Sequence, residues 1–322
     1  MRVVEFDKIG GPEVLRIVDR EVLAPGPGEI LIRHGAIGLN FIDTYFRTGL
    51  YPAPLPCVLG SEGSGVVEAV GQGVTRFRVG DRAAYAGGFG AYAQARSYPA
   101  DRAVRVPDGI SDEVAAAVML KGMTAEFLLH RCFRVQAGQS VLVHAAAGGV
   151  GSLLVQWAKA LGARVIGTAG SPEKAALAQA LGADELVLYR EDNVAERVRA
   201  LTNGQGVAVV FDSVGKDTFD GSIDSLARRG WLVAFGNASG PAPPIDPLRL
   251  MRGGSLILTR PTLVDFIVTT DELDASAAAV FAAIQSGAIT PRIGQTFALD
   301  DIADAHRALE GRRTTGATLL IP

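Results

Sequence analysis

From about residue 121 to about 261, short apolar runs rich in β-branched residues alternate with amphipathic segments, and no other feature of this chain restricts its fold as much. The runs "SVLVHAAA", "RVIGTAG", "ELVLY", "VAVVFDSV" and "WLVAFG" read as strands. Between them, "GGVGSLLVQWAKALG", "SPEKAALAQALG", "NVAERVRALT" and "FDGSIDSLARRG" read as helices. A strand that returns to its own sheet through a helix does so by a right-handed crossover, so these strands lie parallel with helices on both faces. The expectation is an α/β fold with a doubly wound parallel sheet, whose ligands bind at the carboxyl ends of the strands.

The rest of the chain has a different texture. Up to about residue 120, short β-type runs such as "EILIRHGAIGL", "GSGVVEAVG" and "DRAAYAGG" are separated by "APGPGE", "YPAPLP" and "VGQGV", as in an antiparallel β domain. The tail returns with "LDDIADAHRALEGRR", an acid-capped amphipathic helix, and "GATLLIP", a last strand, which together are expected to complete the first domain and leave a cleft for the chemistry. A length of 322 residues with 48% hydrophobic and 20% charged residues suits two such folded domains. The formal charge of -3, with no Lys/Arg-rich segment, argues against nucleic acid or an anionic membrane and for small-molecule partners. Lys121 interrupts the longest apolar candidate, "VAAAVMLKGM", and "MRVVEFDKIGG" lacks a signal-peptide core, so a cytoplasmic protein is expected. Cys57 and Cys132 are too few for a disulfide framework and are expected to be reduced bystanders.

The first strand-to-helix turn of the alternating region runs Ala146, Ala147, Gly148, Gly149, Val150, Gly151, a G-x-G-x-x-G pattern with alanine in the first glycine position. Gly148 lets backbone approach a pyrophosphate, Gly151 lets helix pack on strand, and the helix N-terminus offers N–H groups to phosphates. About 20 residues further on, an NAD site places an Asp or Glu for the ribose 2'-hydroxyl. Here Thr168, Ala169 and Gly170 stand in that place, and Lys174 follows on the first turn of the next helix. An acid would repel a 2'-phosphate, whereas a lysine pairs with it, so the expected cofactor is NADPH. Ser171 offers a further hydrogen bond or caps the helix that starts at Pro172. Tyr189, closing the third strand, is placed for the adenosine end.

The stretches "AIGLNFIDTYFRTGLY", "HAAAGGVG", "FGNASG" and "TRPTL" occur in an order that resembles the zinc-free quinone oxidoreductases related to zeta-crystallin, within the medium-chain dehydrogenase/reductase superfamily. The resemblance runs over the whole chain. It implies a GroES-like β-rich catalytic domain, residues 1–120 completed by 262–322, and a Rossmann doubly wound parallel-sheet domain, residues 121–261, that binds NADP. In zinc alcohol dehydrogenases of that superfamily one ligand cysteine follows a glycine two residues behind it, a histidine lies in a "GHE" triplet, and a second cysteine precedes a "GxT" turn. This chain has Asn40 in "GLN", Ser61 in "GSE" and Leu120 in "LKGMT", none of which makes a thiolate–imidazole zinc site. The histidines His34, His130, His144 and His306 are scattered, and His144 reads as a packed strand-end residue rather than a catalyst.

Without a Lewis acid, reducing a ketone lacks its strongest stabiliser, whereas a quinone or activated alkene spreads the incoming negative charge by conjugation. The expected activity is therefore NADPH-dependent, metal-free quinone reduction, with reduction of α,β-unsaturated aldehydes or ketones as the alternative. By resemblance, Asn40, Asp43 and Tyr45 line the site near the nicotinamide, and Tyr51 borders the substrate opening. Phe235, Gly236, Asn237 and Ser239 border the nicotinamide by the same resemblance, with Arg260 and Thr262 nearby and Arg312 reaching for the cofactor. The apolar run "GSLILTRP" is expected to pair across a two-fold axis in a homodimer. Relatives of zeta-crystallin also include structural lens proteins and chains that associate with RNA; the acidic balance weighs against the latter here.

Overall fold

The structure, a computed structural model, describes every residue from Met1 to Pro322. The chain divides into two units, one of Met1–Met123, Ile267–Ala282 and Pro291–Pro322, the other of Thr124–Phe266 and Ala283–Thr290. No helix is long and apolar enough to cross a membrane.

The first unit opens with β1 (Arg2–Phe6), β2 (Arg16–Asp19) and β3 (Glu29–Leu39), followed by α1 (Phe41–Thr48) and β4 (Cys57–Val58). Next come β5 (Glu62–Val70), β6 (Arg82–Ala86), β7 (Ala95–Pro99), β8 (Ala103–Arg105) and the first turns of α2 (Asp112–Phe127). β1, β2 and β4 form a small antiparallel sheet in the order β2-β1-β4. β3 is the spine of a larger one: it pairs antiparallel with both β5 and β7 and is buried along most of its length. Ile30, Ile32, Ile37 and Leu39 of this strand pack with Phe6, Val67, Tyr85 and Tyr92 into one apolar core.

The second unit carries β9 (Ser140–Val143), α3 (Gly149–Ala160), β10 (Arg164–Ala169), α4 (Pro172–Ala180), β11 (Glu185–Leu188) and α5 (Val194–Leu201). It continues with β12 (Val207–Asp212), α6 (Phe219–Asp224), β13 (Leu226–Ala234), α7 (Pro247–Arg252) and β14 (Ile257–Thr259). The strands are all parallel in the order β11-β10-β9-β12-β13-β14, so chain direction across the sheet reverses between β9 and β12. Leu142, Ile166, Val187, Val210 and Leu232 fill the layer between sheet and helices.

Two elements depart from the sequence pattern. The strand expected over "SVLVHAAA" ends at Val143, because Ala145 takes a left-handed φ of 50° that no strand continues through. The helix expected over "FDGSIDSLARRG" stops at Asp224, and Leu226 already pairs with Val207. A register shift between Val207 and Val209 and a left-handed Arg229 accommodate that early start.

The chain then returns through α8 (Thr270–Gln285), β15 (Ile293–Ala298), α9 (Ile302–Glu310) and β16 (Ala317–Ile321). β16 runs antiparallel to β3 and parallel to β15, extending the large sheet of the first unit to the order β15-β16-β3-β5-β6-β8 with β7 also on β3. α9 buries Ile302, Ala305, His306 and Leu309 on one face, as its amphipathic pattern demands.

Candidate active site

At the carboxyl edge of the parallel sheet, the turn after β9 leads into α3 with Gly148 as N-cap. A Cβ on Gly151 would stand 2.2 Å from the carbonyl oxygen of Ala145, so helix and turn meet at a distance that only glycine allows. Helix geometry leaves the N–H groups of Gly149, Val150 and Gly151 without an acceptor inside α3, an arrangement suited to phosphate oxygens. Ala147, just before the cap, is buried. Along the same edge, Gly170 follows β10 and lies against Tyr189 at the end of β11; a Cβ there would meet the tyrosine hydroxyl at 2.5 Å. Ser171 is the N-cap of α4, accepting the Lys174 N–H, which puts Lys174 on the helix's first turn. Beyond β13, Phe235 donates its N–H to the Asp212 carbonyl at 2.7 Å, Gly236 packs on Ser213, and the Asn237 carbonyl accepts from Gly240. The Ser239 hydroxyl donates to the Val214 carbonyl at 2.9 Å. Arg260 and Thr262 are exposed past the end of β14. The carboxyl edge of the parallel sheet thus presents the residues that fit a dinucleotide: close-approach glycines, a helix N-terminus and a lysine where an acid would stand.

In the first unit a second cluster surrounds the start of α1. Asn40 is its N-cap, and its backbone N–H donates to the Asp43 carboxylate at 2.9 Å. The Asn40 amide donates to Glu62 Oε2 at 2.9 Å, the Lys121 ammonium donates to the same oxygen at 2.7 Å, and the Leu120 N–H donates to Glu62 Oε1 at 2.6 Å. Glu62 is fully buried and Lys121 nearly so, which makes this a desolvated ion pair with a donor on each carboxylate oxygen. Asp43, also buried, accepts from the Tyr92 hydroxyl at 2.8 Å. That hydroxyl has spent its one hydrogen, so its oxygen accepts from Nε2 of His306, 3.2 Å away on α9. Burial above all, with the Arg47 charge nearby, pushes His306 down to about 3 and keeps it neutral. Arg47 itself is wholly buried, donating to the Gly10 carbonyl at 2.9 Å and pairing with Glu310. Tyr45 and Tyr51 meet edge to face at 5.3 Å on the other side of α1. Arg312 lies in this unit, exposed, in a left-handed turn past α9.

Asn40, Asp43, Tyr45 and Tyr51 therefore come from one helix and the turn that follows it. Sequence reasoning gave no site role to Glu62, Lys121, Tyr92, His306 or Arg47. Tyr92 and His306 lie 214 positions apart and carry no local signal; Glu62, adjacent to Ser61 in "GSE", was within reach as a buried acid in a strand. The three positions that hold zinc in the metal enzymes lie about Glu62: Asn40 and Leu120 both donate to it and Ser61 is its neighbour. An amide, a hydroxyl and a leucine with a lysine ammonium alongside do not suit zinc, and no group of three or more His, Cys, Asp or Glu side chains is placed to hold a metal. Cys57 and Cys132 are unpaired, and burial pushes both thiols up to about 11, away from reactivity.

Two family models match the chain, an alcohol dehydrogenase GroES-like domain over residues 26–108 and a zinc-binding dehydrogenase domain over residues 149–283. A quinone oxidoreductase of Pseudomonas aeruginosa is 53% identical over 99% of both chains. A 2-haloacrylate reductase of a Burkholderia species is 44% identical over 98% of this chain and 97% of its own. The crystal structure of Escherichia coli quinone oxidoreductase complexed with NADPH, 45% identical, matches over the whole of both chains with a TM-score of 0.98.

Asp43 makes the cluster sensitive to pH. Burial raises its pKa from an ordinary value of 3.8 to about 7, against the opposing pull of Tyr92, the Asn40 N–H and the Lys121 charge. Between those two values the folded protein holds a proton that the unfolded chain has released, so this group lowers stability progressively as pH rises through the window, and the loss is complete above it. Asp43→Asn keeps an oxygen for Tyr92 and Asn40 but does not titrate. Its unfolding free energy relative to wild type should therefore rise, by on the order of a few kcal/mol, between about pH 4 and pH 8. Denaturant titrations at both ends of that range check it; a difference that does not change with pH would show that Asp43 does not titrate in the window.

Proposed function

This chain belongs to the quinone oxidoreductase family of the medium-chain dehydrogenases/reductases, and from that premise we propose that it is an NADPH-dependent enzyme that reduces quinones without a metal ion. The observation that carries the reading is the convergence of Asn40 and Leu120 on a carboxylate already paired with Lys121. With the metal positions given over to that ion pair, the acceptor must itself disperse the charge it receives, as quinones do.

When bound, NADPH supplies the hydride, and the protein supplies binding and orientation. In this reading the dinucleotide-binding domain is residues 121–261, and the catalytic domain is residues 1–120 completed by 262–322. Gly148 and the N–H groups of residues 149–151 hold the pyrophosphate, Lys174 with Ser171 holds the 2'-phosphate, and Gly170 and Tyr189 frame the adenosine end. Phe235, Gly236, Asn237 and Ser239 border the nicotinamide, with Arg260, Thr262 and Arg312 as outer contacts. Asn40, Asp43 and Tyr45 orient the acceptor, and Tyr51 borders its entry. A relative named for reducing 2-haloacrylate keeps activated alkenes as a second reading of the same chemistry. The enzyme is proposed to act in the cytoplasm as a homodimer, since β14 pairs only with β13 and leaves its other edge open, with Ile257 and, on α7, Leu248 and Met251 exposed.

Three outcomes are expected. Lys174→Ala should weaken NADPH binding about 10- to 150-fold, the loss of one charge-assisted contact, while NADH, which lacks the phosphate, is bound as before; equal weakening of both would assign Lys174 to the fold. After exhaustive chelation, turnover of a small quinone with NADPH should be unchanged and should exceed that of an enone under the same conditions. Activity lost with stoichiometric zinc would overturn the metal-free reading, and a faster enone would favour the second. Sedimentation at micromolar concentration should give twice the chain mass, and a monomer there would remove the dimer.

A further inference from the structure

We infer that His144 and Thr168 are positioning residues for the glycine turn, through which the buried carboxylate of Asp212 anchors a one-directional chain of hydrogen bonds ending on Ala145; the inference rests on the NADPH reading above. Its members come from four elements of the second unit. His144 follows β9, Thr168 lies in β10, Asp212 ends β12 and Ser222 lies in α6, and none is more than 1% exposed.

The direction of every bond in the chain follows from counting hydrogens. The Ser222 hydroxyl donates to Asp212 Oδ2 at 2.8 Å and has no second hydrogen. Its oxygen, 2.9 Å from His144 Nε2, must therefore accept, so Nε2 carries the ring proton. Burial holds the His144 pKa below its ordinary value and the ring stays neutral, which leaves Nδ1 a bare acceptor. Thr168 Oγ1, 3.1 Å from Nδ1, donates to it, and the same oxygen accepts the Ala145 N–H at 3.3 Å. The Thr168 carbonyl takes the Ala146 N–H at 3.0 Å.

Ala145 is the residue that most needs holding. Its φ of 50° is one that alanine adopts only when the surroundings impose it, and its carbonyl is the atom against which Gly151 packs. Asp212 serves the neighbouring loops at the same time: Oδ1 accepts the N–H groups of Val214 at 2.8 Å and Gly215 at 3.1 Å, and the Thr218 hydroxyl donates to both carboxylate oxygens. The Val214 carbonyl in turn takes the Ser239 N–H and hydroxyl. One carboxylate thus ties together the phosphate turn and the loops after β12 and β13. Thr168, one of three residues in the stretch where an NAD site would carry its acid, points its hydroxyl into this chain.

The test pairs Thr168→Val, which keeps the shape and removes the hydroxyl, with Thr168→Ser, which restores it. NADPH and NADH dissociation constants, KM for NADPH and kcat are measured on the full-length enzyme, together with the His144 tautomer by ¹⁵N NMR without cofactor. The valine variant should bind both dinucleotides about 5- to 20-fold more weakly, because the turn faces the pyrophosphate they share, with the loss in KM rather than kcat and recovered in the serine variant. Wild type should show a protonated Nε2 and a bare Nδ1. Wild-type affinity in a folded Thr168→Val, or a protonated Nδ1 in wild type, would overturn the inference. The tautomer decides it even if the valine variant fails to fold. Wild-type enzyme that binds no NADPH would sink the functional reading instead, while the tautomer still tests the chain.

Discussion

Parallel strands cannot be joined by a hairpin, and this restriction governs where everything else in the second unit can lie. Each strand must be followed by a crossover on the right-handed path, so each sends its chain out at the same edge of the sheet and brings it back at the other. The turn after β9, the start of α4, the end of β11 and the loops beyond β13 and β14 are far apart in sequence and share one edge for that reason alone. The reversal between β9 and β12 sends the following helices to opposite faces and opens the crevice there. The close approaches at Gly151 and Gly170 then follow from local crowding: an ordinary side chain at either place would strike a carbonyl or a tyrosine hydroxyl.

Buried carboxylates are the fixed points of both units, and each is satisfied in a different way. An unpaired charge in the interior is strongly unfavourable, so its donors are not interchangeable. Glu62 takes an ammonium, an amide and a backbone N–H, and removing one partner of such a pair typically costs about 3–5 kcal/mol. Asp212 has only neutral donors, but enough of them to occupy both oxygens. Asp43 has two neutral donors on one oxygen and a cation only at a distance, and burial outweighs them and raises it to about 7. Replacing such groups by apolar residues is often neutral for stability, so their contribution here is to geometry: each defines where a particular loop must sit.

What the sequence made legible was whatever repeats at short range. The alternation of apolar runs and amphipathic segments specified the parallel sheet, and the glycine turn, the Ser171 cap and Lys174 were readable as one local unit because the single stretch from Ala146 to Lys174 carries them all. The boundary at Leu226 was not legible, since "SLARRG" has helical propensity and its strand pairing depends on Val207 across a register shift. α2 was also hidden. "VAAAVMLKGM" has no polar face because Ala115, Ala116, Ala117, Val118, Met119 and Met123 are all buried, and periodicity reports only helices with one face in water. Lys121 read as a charge interrupting an apolar run; its meaning lies in Glu62, 59 residues earlier. In the candidate site, Asn40 and Asp43 were reached only through the family resemblance, and Tyr92 and His306 were not reached at all, because their partnership exists only after β16 joins β3 and brings α9 with it.

The positions that hold zinc in the metal enzymes carry a different chemistry in this chain. One family model that this chain matches is named for zinc binding, yet Asn40, Ser61 and Leu120 offer an amide, a hydroxyl and a hydrocarbon. Those three positions still meet, because β3 and β5 are paired and the Leu120 N–H of α2 is hydrogen-bonded to Glu62. A site that brings polar backbone and side chains together in the interior must satisfy them with something. Here the positive charge is covalently attached as Lys121, 2.7 Å from Glu62, and the Asn40 amide completes the shell. A lysine ammonium bonded to a carboxylate neutralises charge and holds Asn40 in place, but it has no vacant orbital with which to polarise a carbonyl. The ion pair therefore holds Asn40 and the Leu120 N–H together around Glu62 with no Lewis acid among the side chains at these positions.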